Sequence, residues 1–238
     1  MEIINGPWDN RLWTLVNETQ KTIKIISPFI KMETCKTLIQ NKPTSTRLQL
    51  ITSLNISSVC FGSLDLPALD LILKNKGKIK NYPKVHAKVY IFDEDTAIVT
   101  SSNLTPGGLK YNFEYGILIQ EEKYVQKIIY DFNEAFYSDA CSNVTSRDLD
   151  FLAKLSQKIV RPSLHFNGFS DSQPEIEISY QILTEVLSGW KKEVFQKLNE
   201  IDKSTIQLKD LLQFVPEFHK LYPNNHYIEA KIRQTLQF

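Results

Sequence analysis

The sequence predicts an α/β layered domain followed by a small helical module, and three observations carry that prediction. Short β-rich runs alternate with segments of helical spacing over residues 1–160; RPSLHFNGFSDSQP at 161–174 loses hydrophobic periodicity and gathers Ser, Gly, Pro and Asp; and no strong strand recurs behind it. The boundaries expected from this are a layered domain at 1–160, a linker at 161–174 and a helical module at 175–238.

The elements follow in order. DNRLWTLVNETQK reads as a helix, Ile23 to Ile26 as a strand stopped by Ser27-Pro28, METCKTLIQNK as a helix and RLQLITSL as a strand. LDLPALDLILKNKG has helical spacing, with Gly77 as its C-terminal stop. Short strands are expected at KIK, HAKVYIFD, TAIVTSS and FEYGILIQ, then a packing helix over EEKYVQKIIYDFNEAFY and another at SRDLDFLAKLSQKIV. The tail predicts helices over ISYQILTEVLSGWKKEVFQKLNEI, TIQLKDLLQFVPEFHKLY and YIEAKIRQTLQF.

Composition sets bounds without choosing a partner. At 238 residues and 42% hydrophobic, the chain can bury one sizeable core with room for a second small domain. The start, MEIINGPWDNRLW, lacks a basic region followed by an apolar run, and no segment approaches a membrane span, so a cytoplasmic protein without membrane contact is expected. Cys35, Cys60 and Cys141 are odd in number and widely spaced, which favours core thiols over a disulfide framework or a zinc site. The net charge is +1, with 20 basic against 17 acidic residues up to Ser170 and 8 against 10 after it, so neither part is a basic domain.

The chemistry concentrates in VHAKVYIFDEDTAIVTSSNLTPGGLKYNFEYGI. In an extended strand His86 and Lys88, two apart, project from one face, while Val85, Ala87 and Val89 face the other way to pack. An imidazole beside an ammonium suits phosphate chemistry: the ring nitrogen attacks phosphorus and the lysine meets the charge growing on the non-bridging oxygens. After a turn at Asp93-Glu94-Asp95, Ser101 and Asn103 again share a face and supply donors for phosphate oxygens. Gly107-Gly108 supplies a tight turn, and Glu114 opens the next strand with a carboxylate able to orient an imidazole.

At these positions the chain resembles the phospholipase D superfamily, whose signature is H-x-K-x4-D, then G-S-x-N, then a downstream Glu. The match is His86, Lys88 and Asp93, then Ser101 and Asn103, then Glu114; the glycine of G-S-x-N is replaced by Thr100. The resemblance covers about the first two thirds of the chain, since IKIISPFI and the DLPALDLIL stretch also fit the family's opening strand and following helix. It implies a layered mixed sheet flanked by helices and a catalytic role for all six residues. Taken alone, each has a duller reading: a lone strand histidine is usually satisfied or exposed, a lone lysine solvated. Asp93, at a strand end, suits a turn or capping role even within the motif.

The family's mechanism uses two H-x-K motifs, one histidine forming a phosphohistidine and the other protonating the leaving oxygen. Of His86, His165, His219 and His226, His86 alone has a lysine two positions on. The resemblance therefore implies a symmetric homodimer with one composite site at the twofold interface. Because lysines neutralise the phosphate, it implies no metal ion and no cofactor.

Two features bear on the phosphodiester. KNKGKIKNYPK sets Lys74, Lys76, Lys78, Lys80 and Lys84 close together, where Lys78 and Lys80 could track a nucleic-acid backbone or simply be solvated. FHKLYPNNHYIEAKIRQTLQF resembles the helix-turn-helix end of several restriction endonuclease families, with a turn at Tyr222-Pro223-Asn224-Asn225 and a helix carrying Lys231, Arg233 and Gln234. It stops where that pattern continues into a wing, giving a truncated winged-helix-like module; a plain packing or dimerisation unit is the alternative. ISPFI, HAKVYI, SSNLTPGGL and Asn112 to Glu114 together resemble restriction-enzyme nuclease domains. The combined expectation is a metal-independent, homodimeric DNA endonuclease of restriction or defence type. The alternatives are a nucleic-acid-binding subunit gated by a helicase or translocase partner, and a phospholipase or transphosphatidylase.

Overall fold

The structure is a computed structural model that describes residues 1–159, 178–203 and 205–236. The expected linker at 161–174 and His165 lie outside the described residues. The chain divides into two compact units, Met1–Ile176 and Glu177–Phe238.

The first unit is built on one eight-stranded mixed sheet of order β1-β7-β6-β5-β2-β3-β4-β8. Its strands are β1 (Glu2–Asn5), β2 (Thr22–Ile26), β3 (Arg47–Thr52), β4 (Lys78–Asn81), β5 (Val89–Phe92), β6 (Thr96–Thr100), β7 (Tyr115–Ile119) and β8 (Ser142–Asn143). β2, β3 and β4 are parallel, as their helical crossovers require, and β5, β6 and β7 form an antiparallel meander. The antiparallel pairing of β5 with β2 joins the two halves.

Both faces of the sheet are covered, so its central strands read as nearly continuous apolar runs. One core joins Leu12, Leu15 and Val16 of α1 (Asp9–Glu18), Leu38 of α2 (Met32–Asn41) and Leu69 and Ile72 of α4 (Leu66–Lys74) to Ile25, Leu50, Tyr90 and Ile98 of the sheet. On the other face Val125, Ile129, Phe132 and Phe136 form the apolar stripe of α5 (Glu122–Tyr137), set against Ile51, Ile91, Ala97 and Ile119. Each buried phenylalanine contributes about 1.5–3 kcal/mol. A short α3 (Ile56–Cys60) and α6 (Ser146–Lys158) complete the unit. All three cysteines are buried and unbridged, and burial pushes the Cys35 thiol up to about 12.

Some local expectations change. β1 escapes sequence reading because only Ile4 of its four residues is buried; its pairing with β7 is more than a hundred residues away in the chain. Gly77 does end α4, but the left-handed residue is Lys76, with φ 62°. Gly77 is needed for close approach, since a Cβ there would lie 2.4 Å from Ile72 Cγ2.

In the second unit the first two expected helices are each broken. The first divides at Gly189, φ +54°, into α7 (Tyr180–Val186) and α8 (Gly189–Asn199). The second divides near Phe214 into α9 (Leu208–Leu212) and α10 (Val215–Leu221), the latter with Pro216 in its first turn. With α11 (Ile228–Leu236) they enclose Val194, Leu211, Phe218, Ile228 and Ile232, and Trp190 stacks on Tyr222 at 4.2 Å between ring centroids.

Asp93 ties the β5–β6 turn to the start of β2. Its carboxylate accepts the backbone N–H groups of Lys21 at 2.7 Å, and of Gln20 and Thr22 at 2.9 Å. Its own φ is 50°, a conformation that Asp and Asn tolerate. Burial alone would raise its pKa, but the three backbone donors and the Lys21 charge outweigh burial and hold it below its ordinary 3.8. A depressed folded pKa stabilises the fold fully above the unfolded value, and this contribution disappears as pH falls through the folded one. Asp93→Asn keeps the turn geometry but removes the titrating charge. We expect its melting temperature to lie below wild type at pH 7 and the gap to close below pH 3.8, measured by thermal denaturation at stepped pH.

Candidate active site

β5, β6 and β7 run side by side, and the start of β5, the end of β6 and the start of β7 meet at one end of the sheet. Three short segments carrying polar side chains converge there because the ladders hold them in register. The regular strand begins at Val89, so His86 and Lys88 lie in its lead-in. The Thr100 N–H still donates to the Lys88 carbonyl at 3.1 Å, which continues the β5–β6 register past the strand end. Lys88 Nζ is 3.4 Å from both ring nitrogens of His86, whose imidazole is exposed at the mouth. Val85 and Val89 pack against the α5 side as their alternation predicts, but Ala87 between them is exposed.

Ser101 and Glu114 face each other across the β6–β7 ladder. The Ser101 hydroxyl donates to one carboxylate oxygen of Glu114, and Asn112 Nδ2 donates to the other at 3.1 Å. Ser101 Oγ also accepts the Tyr115 N–H at 3.1 Å. The sequence pattern makes Glu114 a candidate to orient the imidazole. Among the described residues, however, no hydrogen bond joins it to His86, which sits one strand further over. Asn103 Oδ1 accepts the Phe29 N–H at 3.4 Å, leaving its amide nitrogen as the donor end. The loop beside it is held by Ser27, whose Oγ accepts the Leu104 N–H at 2.9 Å, and by an isolated bridge between Ile30 and Leu104.

Thr100, the departure from the G-S-x-N pattern, is accommodated from across the ladder. Its register partner is Gly116, where a Cβ would fall 2.7 Å from Thr100 Cβ. The threonine hydroxyl donates to the Tyr115 carbonyl at 2.9 Å and accepts the Ser102 N–H at 3.2 Å, so it braces the turn that presents Ser101.

The remaining candidates lie elsewhere. Asp93 is at the opposite end of β5 from His86, engaged with the 20–22 backbone. Lys78 is exposed, whereas Lys80 is committed to packing, with Nζ 5.7 Å from the Phe136 ring centroid and 3.4 Å from the Cys141 carbonyl. On α11 Lys231 donates to Gln234 Oε1 at 2.8 Å, and Arg233 is exposed. Among the described residues no cluster of three or more His, Cys, Asp or Glu side chains could hold a metal ion, and no helix is long and apolar enough to cross a membrane.

Sequence reasoning missed the groups under the site. Trp8, Tyr90 and Ser102 are buried polar residues beneath Ser101 and Asn103. Only Ser102 carried a local signal, the residue between two outward-facing ones; nothing nearby marks Trp8, which arrives from the far end of the unit.

Comparison with known proteins agrees with this architecture. Residues 12–136 match the family described as cardiolipin synthase, PLD-like domain, and residues 187–238 match the Dam-replacing HTH domain. No curated protein matches the chain. Among solved structures, Nuc from Salmonella typhimurium, a phospholipase D family member, superposes with a TM-score of 0.52 at 14% identity, over 60% of this chain and 96% of its own. NucT from Helicobacter pylori gives 0.45 at 12% identity, over 60% and 98%. The phosphatidylserine synthase of Haemophilus influenzae gives 0.48 at 14%, over 66% and 42%. The family match spans more than half of the 238 residues, and the chain belongs to the phospholipase D-like family.

Proposed function

We propose that the chain is a metal-independent DNA endonuclease of restriction or defence type, acting in the cytoplasm as a homodimer. The observation that carries the reading is a single H-x-K pair, with Lys88 Nζ 3.4 Å from the His86 ring, beside Ser101, Asn103 and Glu114 at one sheet end. Such a site holds a nucleophile and phosphate donors but one histidine, where phosphodiester cleavage through a covalent intermediate also needs a general acid.

In this mechanism a ring nitrogen of His86 attacks phosphorus and the bond to the leaving oxygen breaks. That oxygen takes a proton from the imidazole of a second copy. Water then attacks the phosphohistidine and gives a proton to the same second imidazole. The phosphorus–nitrogen bond breaks and both rings return to their starting states. Lys88 and the Asn103 amide bind the non-bridging oxygens, while Glu114, held by Asn112, accepts the hydrogen bond of the Ser101 hydroxyl and fixes Ser101 at the mouth of the site. The preference for DNA over a lipid rests on the helix-turn-helix match at 187–238 and on Arg233 exposed on α11.

Purified protein should nick or cut plasmid DNA in excess EDTA, and His86→Ala should lower the rate by roughly a thousandfold or more. Cleavage that needs added divalent metal, or that survives in the mutant, would sink the metal-free histidine mechanism. A folded dimer inactive on DNA but active on phospholipid vesicles would transfer the same chemistry to a lipid substrate.

Mixing His86→Ala with wild-type subunits under exchange tests the composite site separately. Random assortment at equal amounts leaves the wild-type subunits with about half their activity. Full retention of activity by isolated mixed dimers rules out sharing of the site.

A further inference from the structure

The Ser101–Asn103 segment is gripped from below by groups that the reaction itself does not use. Ser102, fully buried, points away from its two outward-facing neighbours. Its Oγ accepts the Trp8 indole N–H at 2.8 Å, and its carbonyl accepts the Tyr90 hydroxyl at 3.0 Å. The same indole N–H lies 3.3 Å from the Gly108 carbonyl, in the π-helical turn Gly107–Tyr111 that leads to Asn112 and Glu114. Trp8 is 4% exposed, its ring meets Tyr90 edge-on at 5.3 Å between centroids, and its backbone N–H donates to the Leu109 carbonyl at 3.1 Å. The turn and the phosphate-binding segment are in direct contact, since a Cβ on Gly108 would lie 2.5 Å from the Asn103 carbonyl oxygen.

We propose that Trp8 is a positioning residue of the active site, whose one indole N–H pins the Ser101–Asn103 segment and the Gly107–Tyr111 turn to each other and so sets the phosphate donors relative to Glu114. The proposal rests on the phosphodiesterase reading of the site. The physical basis is that losing a buried donor shared between two acceptors takes a partner from each, and leaves Ser102 Oγ with the Thr100 hydroxyl at 3.3 Å. Segments joined through such a donor relax apart, and small displacements of binding groups are costly to rate. Burial pushes the Tyr90 phenol far up, so it remains a neutral donor holding the carbonyl on the other side of the same residue.

The experiment compares Trp8→Phe, which keeps an aromatic ring and loses the N–H, with Ser102→Ala and with the double variant. Three quantities are measured: kcat and KM for bis(p-nitrophenyl) phosphate in EDTA, the melting temperature, and the rise in melting temperature on adding inorganic phosphate. Each single variant is expected to lose roughly tenfold to a hundredfold in kcat and to show a smaller phosphate-induced rise. The double variant should lose clearly less than the product of the two single losses, because both singles remove the bond between Trp8 and Ser102. If Trp8→Phe does not fold, Ser102→Ala carries the same readouts. Variants that melt lower but keep wild-type kcat and the full phosphate response would show a structural role only and overturn the proposal, as would additive losses. If wild type responds to phosphate but turns nothing over, the enzymatic reading fails while the phosphate comparison still decides the role of Trp8. Wild type with neither turnover nor a phosphate response overturns both.

Discussion

The in-register pairing of β6 with β5 on one side and β7 on the other is the constraint on which the rest depends. Lys88 is held opposite Thr100 by a backbone hydrogen bond, and Thr100 stands opposite Gly116. Since side chains alternate along a strand, a slip of one residue in either ladder would exchange the faces of the whole strand. Such a slip is opposed by two cores at once. Tyr90 and Ile98 are buried on one face, and Ile91 and Ala97 on the other. The apolar burial that stabilises the sheet is therefore also what sets the side chains of the candidate site in register.

The polar layer under the site shows how a threonine fits where the family pattern has glycine. Thr100 adds a side chain where the pattern has glycine, and Gly116 across the ladder supplies the room for it. The threonine hydroxyl then joins the hydrogen bonds that shape the turn at Ser101. Buried polar groups of this kind are stabilising only when satisfied. Trp8, Tyr90, Ser102 and Ser27 meet that condition with partners drawn from three separate parts of the chain.

Asp93 and Glu114 illustrate how one functional group, the carboxylate, takes different work from its surroundings. Asp93 sits among backbone N–H groups and serves the fold; Glu114 meets a hydroxyl and an amide at the mouth of the site. Motif spacing alone treats both as acids of one signature. Lys80 and Lys78 divide in the same way: two residues apart in one strand, one is committed to Phe136 and the other is exposed.

The sequence by itself determined the alternation of strands and helices in the first unit, the stripe of α5, the all-helical character of the second unit, and the same-face pairing of His86 with Lys88. All of these are local: they depend on periods of 2.0 and 3.6 residues and on turn residues, which short windows contain. Breaks at Gly189 and near Phe214 are also written locally, in a glycine and a proline, but hydrophobic spacing continues across both and masks them. Tertiary structure alone decided that β1 pairs with β7, that Glu114 meets Ser101 instead of His86, and that Trp8 reaches Ser102, 94 residues away. Those contacts have no period and no spacing. They exist because closing the sheet and burying its two faces leaves specific donors and acceptors with one another as partners.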